Sequence, residues 1–256
     1  MTDQEVQRRI DALGPWFYPF DFGGVRTQSN VPPHVVDIFE TRRQMVEGVV
    51  TAHFGERLPQ ARCIDIGCHE GFYSYAMARL GVERITGLDV RETNLSKARF
   101  AAERLGHAGI EFRQGNIETL DTSPLGTFDL TLFLGVLYHL ENPMQALRNL
   151  RAVCSDVCVI ETQVIDEVEG EAEWGAQEWT RPYHGVLALI DETDEFSADN
   201  TETGHSPVAT CPSPKALEFM LRQTGFARVE FVEPPPDAYE QHARRKRVIC
   251  AAYCSP

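Results

Sequence analysis

Residues 63–74 read Cys63-Ile64-Asp65-Ile66-Gly67-Cys68-His69-Glu70-Gly71-Phe72-Tyr73-Ser74. A short apolar run delivers Asp65 and Gly67 to a tight turn, and a helix pattern begins just past Gly71. Glycine reaches backbone angles closed to other residues and lets the chain approach a ligand closely. The helix start behind it presents unpaired N–H groups, which favour a polar or anionic ligand. On its own the loop means strand, turn, helix and a ligand at the turn, a device shared by several nucleotide-like cofactors.

The same alternation continues outward. Strand patterns fall at residues 62–67, 84–90, 110–114, 128–134 and 157–164, with helical spacing at 72–80, 94–105 and 144–153. Strands alternating with helices of this length predict βαβ units and a parallel sheet. Upstream, residues 3–13 and 35–54 read as helices around an aromatic, Gly- and Pro-punctuated segment. Downstream, a helix over 212–224, entered through Ser213-Pro214, precedes strands at 227–232 and 248–253. The expectation is a doubly wound, Rossmann-like α/β sheet in one domain, 1–256. It comprises an N-terminal extension (1–45), a cofactor-binding core (46–165), an acidic insertion or lid (166–207) after the fifth strand, and a C-terminal helix with a strand pair (208–256). That insertion leaves the carboxyl edge of the sheet, where open α/β sheets bind ligands.

Composition narrows the function classes. The chain has 256 residues, 43% apolar and 24% charged, within the range of globular proteins. No run of 18 apolar residues occurs, and the N-terminus lacks the apolar stretch of a secretory signal. Seven cysteines, none spaced C-x-x-C, argue for reduced core thiols and against a disulfide framework or a metal site. These features read as a soluble protein of the cytoplasm with no membrane partner; self-association is left open. The net charge of −14 argues against a nucleic-acid partner that relies on a broad basic face. Twelve acids between Asp166 and Glu202 against one base, Arg181, account for most of it. The insertion reads as a solvated lid, with Trp174, Trp179 and Tyr183 expected to pack part of it down.

Further residues narrow the ligand. Asp89 ends the second strand 18 residues past Gly71, where a carboxylate can accept hydrogen bonds from both hydroxyls of a ribose. Asn116 and Ile117 follow the third strand and suit the edge and face of an adenine. The fourth strand ends in Leu134-Gly135-Val136-Leu137-Tyr138-His139-Leu140-Glu141-Asn142-Pro143. His139 is a candidate general base, Tyr138 a candidate contact to donor or substrate, and each also has a purely structural reading. Glu161 at the end of the fifth strand, with Arg26, Arg42, Arg181 and Arg247, are candidate substrate contacts. Arginine suits a carboxylate or phosphate.

This series resembles the class I S-adenosylmethionine-dependent methyltransferases. The resemblance implies a sheet ending in an antiparallel seventh strand. It also implies a cofactor set of Asp65, Gly67, Cys68, His69 and Gly71 in the loop, Asp89 with Val90, Asn116 with Ile117, and Leu134 with Gly135. His69 stands where the family usually has its middle glycine, and Asn116 replaces the commoner Asp. A closer similarity, through residues 16–25, Gly135–Pro143 and residues 159–165, is to the group around the bacterial tRNA wobble-uridine carboxymethyltransferase. That group holds a carboxylated donor with a lysine of the N-terminal extension, the tyrosine matched by Tyr138 and an arginine matched by Arg247. Residues 1–96 contain no lysine.

The expected activity is methyl transfer from S-adenosylmethionine to a small-molecule acceptor, releasing S-adenosylhomocysteine. The sulfonium is already activated, so the protein's task is alignment and exclusion of water. The alternatives are carboxymethyl transfer to tRNA, nicotinamide-dependent redox chemistry, and a non-catalytic S-adenosyl-binding subunit.

Overall fold

The computed structural model describes residues 1–173, 175, 179–194, 196–197, 200, 203–204 and 206–256. Helices α1 (Asp3–Leu13) and α2 (Asp37–Phe54) precede five strands: β1 (Arg62–Ile66), β2 (Arg84–Asp89), β3 (Ile110–Gln114), β4 (Phe128–Leu134) and β5 (Cys154–Gln163). These strands are mutually parallel, with β1 flanked by β2 and β4. Helices α3 (Phe72–Leu80), α4 (Glu92–Leu105) and α5 (Pro143–Val153) form the crossovers. Two short antiparallel pairs follow, β6 (Glu171–Ala172) with β7 (Arg181–Pro182) and β8 (Leu187–Asp191) with β9 (Val208–Pro212). The chain ends with α6 (Pro214–Gln223), β10 (Arg228–Val232), α7 (Glu240–Ala243) and β11 (Arg247–Tyr253). The seven-stranded order is β10-β11-β5-β4-β1-β2-β3, with β11 antiparallel to both neighbours.

The local chemistry accounts for these boundaries. β1 is buried from Cys63 through Ile66, Asp65 included, because helices cover both faces of the sheet. Gly81, left-handed at φ 105, closes α3 by donating to Ala78 and Met77 carbonyls. Pro143 opens α5, and Ser213 caps α6 by accepting from the Ala216 N–H, with Pro214 first in the helix. Along β4 the side chains alternate: Leu130 and Leu132 join Val46, Val50 and Met77 on one face, and Phe133 joins Leu147, Leu150 and Leu217 on the other.

The aromatic segment after α1 is ordered: Trp16, Tyr18, Phe20 and Phe22 are buried against α3 and α4, and the Trp16 indole donates to the Ile10 carbonyl at 2.9 Å. The insertion holds two strand pairs and runs through Pro212, five residues into the segment assigned to the C-terminal unit. Trp179 and Tyr183 do not pack it down: they stay 59% and 45% exposed. Main-chain bonds hold it instead, Ile165 N–H to Pro212 and Ser213 N–H to Val186. Trp174 lies outside the described residues. All seven cysteines are free, six of them buried. Among the described residues, no helix is long and apolar enough to cross a membrane.

Candidate active site

A cavity of about 730 Å³ opens at the carboxyl ends of β1, β2 and β4, a volume in the range of small-molecule sites. Its first wall is the loop after β1. Gly67 adopts φ 73, and a Cβ there would lie 2.3 Å from the Val136 side chain, so only glycine fits. Its N–H and that of Cys68 both donate to the Leu88 carbonyl, which ties the loop to β2. His69 is left-handed at φ 52, a conformation costing a side-chain-bearing residue about 1–2 kcal/mol. The geometry offsets this, because the His69 N–H donates to Asp89 Oδ2 at 2.9 Å and the ring packs on Phe17.

Asp89 is the centre of this wall. Its Oδ1 accepts from the Arg91 N–H at 2.9 Å and from Asn94 at 3.3 Å, and burial raises its pKa above the ordinary aspartate value. Oδ2, with one bond from the His69 N–H, keeps capacity for a further donor, while Oδ1 already accepts two. Val90, Asn116, Ile117, Leu134 and Gly135 also line the space. Asn116 spends its side-chain oxygen on the Glu118 N–H at 2.9 Å.

Asp65, Cys68 and Gly71 do not reach the cavity wall, a correction to the set implied by resemblance. Asp65 is buried and accepts from Ser74 Oγ at 2.6 Å, so it fixes α3 to β1; burial pushes its carboxyl up to about 6. Cys68 lies behind the loop with its sulfur near Gly87, and Gly71 starts α3 at φ 79 against Phe112. Each supports the wall from the rear.

The opposite wall is charged. Glu161, fully buried, accepts from Arg42 of α2 at 3.2 Å and from Arg247 of β11 at 3.1 and 3.3 Å. Arg247 also donates to Tyr138 Oη and to Gln241 Oε1, both at 2.9 Å, and His242 sits 3.4 Å from Glu161. Burial alone would raise Glu161; Arg42 and Arg247 hold it well below the usual carboxylate range. One carboxylate thus faces two guanidinium groups, and the surplus positive charge borders the cavity. His139 lines the same space; burial, then Arg247 and Arg91, push it down to about 4.

The other two arginines do not join this group. Arg26 is exposed and pairs with Asp21 at 2.7 Å, inside its own turn, and Arg181 is exposed on β7, donating to Thr180 O. Sequence reasoning missed Glu70, whose buried carboxylate accepts from the N–H groups of Phe17 and Tyr18 and pairs with Lys97 at 2.9 Å. The acid inside the glycine loop and the lone lysine of α4 were the available signals. It also missed Gln241, His242 and Glu192, for which the sequence carried no motif.

A sheet in this order, with an antiparallel penultimate strand and its cavity at the carboxyl ends, is the class I S-adenosylmethionine-dependent methyltransferase fold. The chain belongs to the methyltransferase domain family, whose sequence model matches residues 58–200. This sets aside the nicotinamide-dependent alternative.

The tRNA U34 carboxymethyltransferase of Pseudomonas paraeruginosa is 28% identical over 232 residues, covering 90% of this chain and 61% of that protein. That of Haemophilus ducreyi is 25% identical over 181 residues, covering 67% and 54%. The chain therefore spans only 54–61% of the length of these relatives. Among solved structures, the N-terminal domain of EvdMO1, crystallised with SAH and D-fucose, matches 99% of this chain and 95% of that one. Its identity is 26% and its TM-score 0.69. Magnesium protoporphyrin IX methyltransferase from Synechocystis PCC 6803, with bound SAH, shares the fold at 19% identity and TM-score 0.57, covering 89% and 90%.

Proposed function

We propose that this chain transfers a methyl group from S-adenosylmethionine to a small-molecule acceptor seated between the glycine-loop wall and the arginine wall. The observation that carries the reading is Asp89: a buried carboxylate at the end of β2, fixed by two backbone N–H groups and facing the cavity. The residues fit the donor. Asp89 would take the ribose, the Gly67–His69 backbone the methionyl part, and Asn116 with Ile117 the adenine edge and face. The bound sulfonium supplies an activated methyl group. The protein's own residues align the acceptor and keep water out. Glu192, Thr203 and Gly204 of the insertion border the cavity, which supports an enclosed, small acceptor. The net charge of −14 supports the same choice over a polyanion.

A second reading, carboxymethyl transfer from a carboxylated donor to tRNA, is favoured by one observation. Arg42, delivered by the N-terminal extension, provides a buried cation besides Arg247 and Tyr138. A competition titration separates the two. The plain donor is expected to bind more tightly, with Arg247→Ala changing acceptor affinity more than donor affinity. Tighter binding of the carboxylated donor, abolished by Arg247→Ala, would promote the second reading.

A further inference from the structure

His139 and the insertion meet at one place. The ring nitrogen Nδ1 of His139 lies 3.9 Å from Glu192 Oε2, and both residues border the cavity. Glu192 directly follows β8, and its backbone is held at both ends: its N–H donates to the Pro207 carbonyl and its carbonyl accepts from Phe196. An aspartate turn in which Asp191 Oδ1 accepts from the Thr193 N–H fixes the chain around it. The insertion also sits tightly on the His139 backbone. A Cβ on Gly204 would fall 2.3 Å from the His139 carbonyl oxygen, and Thr210 of β9 donates to the Leu140 carbonyl at 3.0 Å.

We propose that Glu192 is a positioning residue for His139: its carboxylate, at 3.9 Å too far for a hydrogen bond, favours by charge the ring with its proton on Nδ1 and leaves Nε2 to take the proton of an acceptor O–H or N–H. This rests on the methyl-transfer reading above. As the acceptor atom forms its bond to the methyl carbon, the S–CH₃ bond breaks and its electron pair stays on sulfur. The acceptor's proton then passes to Nε2. An imidazolium at this spot is opposed by Arg247 and Arg91, and the nearby Glu161 is already committed to Arg42 and Arg247. Glu192 brings the compensating carboxylate from the insertion. The orienting logic is that of a carboxylate behind a catalytic histidine. The base is then complete only with the insertion folded over the cavity, so acceptors lacking a proton on the nucleophilic atom gain nothing from it.

Nitrogen-15 and carbon-13 NMR of histidine-labelled full-length protein tests this, with His139→Gln identifying the resonances and SAH calorimetry run on the same samples. The expected result is an Nδ1–H tautomer for wild-type His139. In Glu192→Gln that preference is lost and the titration midpoint falls by about one pH unit, while Glu192→Asp restores part of both. SAH affinity should change by less than about twofold in Glu192→Gln, a substitution that leaves Asp89 and the glycine loop as they are. An Nε2–H tautomer in the wild-type protein overturns the proposal without any variant. So does an unchanged midpoint and tautomer in Glu192→Gln with SAH still bound. Failure of the wild-type protein to bind SAH overturns the methyl-donor reading, and the catalytic claim for His139 with it.

Discussion

Asp65 and Glu161 lie in two strands that flank β4, and both carboxyls are buried. Their ionisation nevertheless goes opposite ways: burial pushes Asp65 up to about 6, whereas Arg42 and Arg247 outweigh burial at Glu161 and hold it low. The difference marks two ways of building a site. The donor wall is made from backbone geometry, with carboxylates held by nearby N–H and hydroxyl groups, and it tolerates an acid that is only partly ionised. The acceptor wall is made from full charges gathered from three distant segments, and it works only while every charge has its partner.

The largest effect that would sharpen this contrast is expected from Glu161→Ala. It leaves Arg42 and Arg247 buried without their counter-charge, which should cost about 3–5 kcal/mol of stability in urea unfolding. SAH affinity should change much less than that. A loss below about 1 kcal/mol would mean that the arginines find other partners and that the acceptor wall is not an all-or-none unit.

The next effect is a pH dependence from Asp65. Its folded pKa, about 6, lies above the unfolded value of about 3.9, so the native state binds the extra proton between them. Asp65 therefore costs nothing at acid pH and destabilises progressively as the pH rises through that window, by roughly 2–3 kcal/mol in all. Glu161 has the opposite sign: its contribution is present above about pH 4 and is lost only as the pH falls through its low folded pKa. In paired unfolding curves, Asp65→Asn should gain on the wild type between about pH 4 and pH 7. A constant difference across that range would show that Asp65 ionises normally and would erase the contrast with Glu161.

The smallest effect concerns binding alone. Asp89→Asn keeps one oxygen for the His69 or Arg91 N–H but loses the carboxylate offered to a ribose. Charge-assisted bonds of this kind contribute about 1.5–3 kcal/mol each, so SAH should bind at least about tenfold more weakly by calorimetry. An unchanged affinity would remove Asp89 from the donor site.

The two walls also differ in how far they can be read from sequence. The donor wall follows from local order: Gly67 and Asp89 occupy the strand ends that the alternating pattern marks out, and the strands and helices lie within a few residues of where periodicity puts them. The limits there are side-chain directions, because whether Asp65 faces the cavity or Ser74 depends on a packing choice across α3. The acceptor wall was legible only as separate candidates. Arg42 and Glu161 are 119 residues apart in sequence, and Tyr138 and Arg247 are 109 apart. Nothing in their neighbours tells these arginines from Arg26 or Arg181, which pair or bond locally. The β8–β9 pair escaped for another reason. Its strands are joined by a long connection without the tight glycine turn that announces a hairpin, and the surrounding acids read as a solvated loop.

The clamp at Glu70 has a consequence for anyone reshaping this protein. One carboxylate grips the main chain at Phe17 and Tyr18 and also pairs with Lys97, which itself donates to the Pro15 carbonyl. The N-terminal strap and the glycine loop are thus two sides of one joint. A chain trimmed to begin at α2 would not be a minimal catalytic core. It would present Phe72, Tyr73 and Phe100 as a bare sticky face, strand a buried carboxylate and ammonium without their main-chain partners, and invite aggregation before any question of activity arose.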